Sequence, residues 1–76
     1  MRRHLERLGI PCHGVATHPG LAGVVVINED LHVCIFPDGW MRLGEWVAPG
    51  RFRFAPATRS VDVLAWQIRQ RLGARP

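Results

Sequence analysis

From Leu31 to Phe54 the side chains alternate between two chemistries, and one turn inside that stretch dictates how its strands pair. The turn is Phe36-Pro37-Asp38-Gly39-Trp40. Pro37 suits the first corner of a type I turn, Asp38 the second, and Gly39 the left-handed position that closes a three-residue hairpin loop. Such a loop sets Phe36 against Trp40 and Cys34 against Arg42 on a common face. One face of the sheet then collects Leu31, Val33, Ile35, Met41, Leu43, Phe52 and Phe54, and reads as core. The other collects His32, Cys34, Phe36, Trp40, Arg42, Trp46, Arg51 and Arg53. A freely solvated face has little use for aromatics interleaved with arginines, so the second face is the candidate contact surface.

The remaining elements follow from local signals. Arg2 to Leu8 predicts a short helix, with Leu5 and Leu8 one turn apart and Gly9 placed as its stop. Pro11 cannot continue a helix or donate to a ladder, so Ile10 to Thr17 predicts an irregular edge strand. His18-Pro19-Gly20 marks a turn. Ala22 to Ile27, β-branched from Val24 onward, predicts the strongest strand. Its apolar residues point both ways, which predicts cover on both sides. Asn28-Glu29-Asp30 turns the chain back. Ala48-Pro49-Gly50 makes the next turn, and Arg51-Phe52-Arg53-Phe54 alternates as a half-buried strand should. Ser60 caps a final helix whose buried stripe is Val61, Leu64, Ala65, Ile68 and Leu72. Asp62 suits its positive end, Arg69 and Arg71 its negative end, and Gly73 its stop, with Ala74 to Pro76 fraying beyond. The expected fold is α+β: a short N-terminal helix, an antiparallel meander of roughly four or five strands and a C-terminal helix, with the helices on one face of the sheet.

With 76 residues, the chain is one small domain spanning 1–76. A domain of this size buries only about 60% of its unfolded surface, so a partner or a second copy would add to a thin margin of stability. The basic Met1-Arg2-Arg3-His4 start is followed by Glu6, Arg7 and Gly9 rather than by an apolar stretch, which predicts a cytoplasmic chain with no secretory signal and no membrane contact. All ten basic residues are arginine, and the formal charge is +4. GC-rich coding explains the arginine bias without any function. The charge is dispersed, with no basic tail of the kind that wraps nucleic acid. In a chain read as cytoplasmic, the two cysteines, Cys12 and Cys34, are expected to be free thiols.

In outline the helix, strands, helix order resembles that of double-stranded-RNA-binding domains. The likeness is one of topology. The basic motif that opens the second helix in that family is absent, because Thr58-Arg59-Ser60-Val61-Asp62 stands in its place. The Leu8-Gly9-Ile10-Pro11 start and the Asp38-Gly39-Trp40 hairpin are also similar to those of many short actinobacterial proteins, a likeness that implies no activity.

Chemistry-bearing residues are sparse. His4, His13, His18 and His32 with Cys12 and Cys34 would be the ligands of a metal site, but zinc sites usually present ligands in two short-spaced pairs. Cys12 and His13 are adjacent and so point to opposite faces of a strand. Cys34 beside His32 lacks an acidic third member for nucleophilic catalysis. No glycine-rich phosphate loop or paired carboxylate occurs. The expectation is a non-enzymatic binding domain without metal or cofactor. Its site would be Phe36, Trp40, Arg42, Trp46, Arg51 and Arg53. Three readings of that face stand: a protein contact, as a homodimer or with a partner; a platform on which bases stack while arginines hold phosphates; or a sheet that curls so that Trp40 and Trp46 close the core. The modest charge, the lack of lysine and the two-sided apolar strand favour the protein contact.

Overall fold

The computed structural model describes residues 1–73. The last expected feature, fraying over Ala74 to Pro76, lies outside the described residues. Helix α1 spans Arg2–Arg7, strands β1 to β5 span Gly14–Ala16, Gly23–Val26, Leu31–Ile35, Met41–Ala48 and Arg51–Phe54, and helix α2 spans Val61–Gly73. The strands form one antiparallel meander in the order β1-β2-β3-β4-β5. This is the α+β arrangement that the sequence predicts.

Each turn has a side-chain or backbone cause. At the end of α1, Gly9 has φ +82°, Gly9 N–H donates to the Glu6 carbonyl and Ile10 N–H to the Leu5 carbonyl. These are the two bonds of a Schellman stop, and buried Leu5 and Ile10 supply its apolar contact. In the β2–β3 turn, Asn28 Oδ1 accepts from the backbone N–H groups of Asp30 and Leu31 at 2.8 and 2.9 Å. In the β3–β4 turn, Phe36 N–H donates to the Trp40 carbonyl at 2.8 Å, Gly39 has φ +92°, and Asp38 Oδ1 accepts from Trp40 N–H at 3.1 Å. Cys34 is thereby paired with Arg42. Ser60 Oγ accepts from Val63 N–H at 3.3 Å and caps α2.

The core lies between the sheet and the helices. Leu5 of α1 and Leu64, Ala65 and Ile68 of α2 pack in one buried cluster with Val25, Leu31, Val33, Met41 and Leu43 from the sheet. Arg69 joins the helices by donating to the Leu8 carbonyl. α1 has only six residues, far below the length at which a helix holds by itself, so its packing keeps it folded.

Two expectations need correction. The first concerns β2. Val25 and Ile27 are buried, but Val24 and Val26 are only half-buried, because both helices lie on the same side and no element of the described chain covers the other. The second concerns β5. Phe52 and Phe54 are not core residues; they stand on the outer face, 37% and 43% exposed. Arg51 and Arg53 point to the opposite, helix-bearing side. A β-bulge causes the exchange. With Ala48 paired to Arg51 across Pro49-Gly50, a regular ladder would set Trp46 against Arg53. The bulge between Trp46 and Ala48 sets Trp46 against Phe52 and Gly44 against Phe54 instead. A slip of one residue turns every side chain of a strand to the other face.

Candidate functional site: an aromatic sheet face

The outer face is built by β2 to β5. Cross-strand partners share a face, so the pairs Val24–Cys34, Cys34–Arg42, Gly44–Phe54 and Trp46–Phe52 place all these residues together. Their rings form a ladder. Trp46 and Phe52 meet edge-to-face with centroids 4.8 Å apart, Phe52 and Phe54 do the same at 4.9 Å, and the Arg42 guanidinium carbon lies 4.5 Å from the Phe54 centroid. Aromatic pairs of this geometry contribute about 0.5–1.5 kcal/mol each beyond the area they bury. Trp46 is nevertheless 45% exposed.

Gly44 makes the ladder possible. It lies buried at the centre of β4, beneath the two phenylalanines. A Cβ at this position would stand 2.6 Å from Phe52 Cε1 and 3.3 Å from Phe54 Cε1. The absent side chain is the space that the rings occupy. Glycine inside a strand marks such a close approach.

At the other end of the ladder, the β1–β2 loop leans over the face. His18, Pro19, Gly20 and Leu21 form one wall of a groove of about 430 Å³ whose other lining is Val24, Cys34, Phe36, Arg42 and Phe54. Arg42 Nε is buried and has no hydrogen-bond partner. Burial raises the Cys34 thiol above its ordinary pKa, with Arg42 pulling the other way. At neutral pH this leaves less thiolate than a free cysteine has, and the thiolate is the reactive form. Iodoacetamide should therefore modify Cys34 more slowly than it modifies glutathione, with the rate rising at higher pH. A Cys12→Ser variant isolates that rate, and parity with glutathione at pH 7 would contradict the burial.

Of the six residues expected at the site, the structure brings Phe36, Arg42 and Trp46 onto the outer face. Trp40, paired with Phe36 through its carbonyl, joins them at the hairpin end of that face, where Arg59 lies over its ring at 4.9 Å and also donates to the Asp38 carbonyl at 3.4 Å. Arg53 leaves the face to meet Glu45 at 3.8 Å, a carboxylate that Arg71 of α2 also approaches at 3.6 Å. Arg51 shares the side of Arg53, two residues along the strand. The sequence reading missed Phe52 and Phe54, for which Gly44 was the available signal. Both cysteines are free, and β2 separates the strand that holds Cys34 from β1. Among the described residues, no group of three or more His, Cys, Asp or Glu could hold a metal ion, and no helix is long and apolar enough to cross a membrane.

Comparisons with protein-family models, with curated proteins and with solved structures find no match.

Proposed function

We propose that the chain is a non-enzymatic docking module that presents the outer face of its sheet to another protein surface. The observation that carries this reading is the Trp46–Phe52–Phe54–Arg42 ladder, which no element of the described chain covers. Tryptophan and arginine dominate the energetics of protein interfaces, and rings already locked against each other lose little freedom when a partner arrives. Burying the half-exposed Val24 and Val26 would add to the gain at about 25 cal/mol per Å².

A platform for single-stranded nucleic acid is the second reading, supported by the stacked rings and by Arg42. It loses support from β5. Phosphate tracking needs several free cations along the face, whereas Arg53 is engaged by Glu45 on the other side and Arg51 is turned the same way. The exchange of two arginines for two phenylalanines makes the face more apolar and less cationic than its alternation suggests.

The test is retention of cellular proteins on the immobilised chain after nuclease treatment, comparing wild type with a Phe52→Ala/Phe54→Ala variant. A defined set of proteins should be lost with the double variant and kept with Val63→Ala, whose side chain is exposed on α2. Retention should change little between low and moderate salt, because apolar burial is not screened. Retention that disappears with nuclease, or that falls steeply with salt, would favour the nucleic-acid reading.

A further inference from the structure

We infer that the groove between the β1–β2 loop and Phe54 takes an apolar segment of another protein carrying an aspartate or glutamate, with Arg42 as the anchor for that carboxylate. The inference rests on the docking reading above and names the chemistry of the partner.

Charge carries the argument. Arg42 is the one formally charged residue of the groove lining. Its Nε is buried without a partner, although its guanidinium is steadied by the Phe54 ring at 4.5 Å. A carboxylate is the acceptor that matches the guanidinium's fork, and with Nε closed off from the groove it would be met by the terminal nitrogens. The described residues do not supply one here. Of the chain's six acidic side chains, Glu6 and Asp62 are on the helices, Glu29, Asp30 and Asp38 are in turns, and Glu45 faces the helices. A second copy docked through the same face would bring another Arg42 and no carboxylate from that face, so self-association leaves the guanidinium unmatched. The rest of the groove is apolar: Leu21, Val24, Phe36 and Phe54 offer sockets for aliphatic or aromatic side chains. The partner that satisfies both is an apolar segment with one acidic residue.

Two pools of short synthetic peptides test this, both acetylated and amidated. One mixes Leu and Phe with Asp and Glu; the other has Asn and Gln at the acidic positions. Each is titrated into the intact chain while the amide resonances of Cys34, Arg42 and Phe54 are followed, with an oligothymidylate as a third probe and light scattering as a fourth measurement. The acidic pool should bind about tenfold more tightly than its amide counterpart. Arg42→Gln should remove that preference, and Arg42→Lys should keep part of it, which controls for folding. Equal binding of both pools would overturn the role of Arg42 while leaving protein docking intact. Preference for the oligothymidylate would overturn both. A face-to-face dimer in light scattering, or no binding of the acidic pool at these resonances, would overturn the inference alone.

Discussion

Ile68→Ala should remove a large share of the domain's stability and lower its urea midpoint sharply, whereas Val63→Ala, on the same helix, should change stability by less than about 0.5 kcal/mol. Ile68 is wholly buried where α2 meets the sheet, in the cluster that also holds Leu5 of α1. Truncating a buried isoleucine to alanine costs about 2–5 kcal/mol, the transfer loss plus the cavity left behind. A small domain has about 5–15 kcal/mol in total, and one of this length stands at the low end. The loss should also release α1, because Leu5 packs against the same cluster and six residues cannot hold a helix alone. Urea denaturation followed by far-ultraviolet circular dichroism checks both variants. Equal midpoints would contradict the assignment of the α2 stripe.

The largest effect on docking should come from Gly44→Val. Propensity alone predicts a gain, since valine is favoured over glycine in strands by up to about 1 kcal/mol. The packing predicts the reverse. The new side chain would enter the space of Phe52 and Phe54, and those rings would have to swing outward. Phe52 is 37% exposed, so its ring can be displaced toward solvent once its contacts with Trp46 and Phe54 are given up, and the fold survives. The cost is the Trp46–Phe52 and Phe52–Phe54 pairs, together about 1–3 kcal/mol. A net loss of roughly 1 kcal/mol remains. The ladder is dismantled with it, so partner retention should fall as far as in the Phe52→Ala/Phe54→Ala variant. A Gly44→Val chain that is more stable than wild type, with full retention, would show that the rings do not rest on this glycine.

These two residues also show what could be read in the sequence. The α2 stripe was legible because a buried helix face repeats every three to four residues and Ser60 marks its start. The β3–β4 register was legible because Pro37, Asp38 and Gly39 admit one turn geometry, and Cys34 does pair with Arg42. The faces of β5 were not. Arg51-Phe52-Arg53-Phe54 alternates equally well in either orientation, and the choice depends on a single extra residue in β4. Turn chemistry at Pro49-Gly50 sets the loop but does not reveal a bulge two residues upstream. Gly44 carried the missing information: a glycine in mid-strand on the aromatic face implies large rings above it. The uncovered side of β2 was half legible. Val24 and Val26 signalled a need for cover that the described chain does not itself meet.

Photo-crosslinking from single positions tests the docking face most directly. A benzoyl-phenylalanine placed at Phe52 reports on the outer face, and one at Val63 reports on the solvent side of α2, in cells that express the chain. The account predicts discrete, nuclease-resistant protein adducts from position 52 that Gly44→Val suppresses, and none of those adducts from position 63. Adducts to nucleic acid at position 52, or the same protein adducts from both positions, would contradict it.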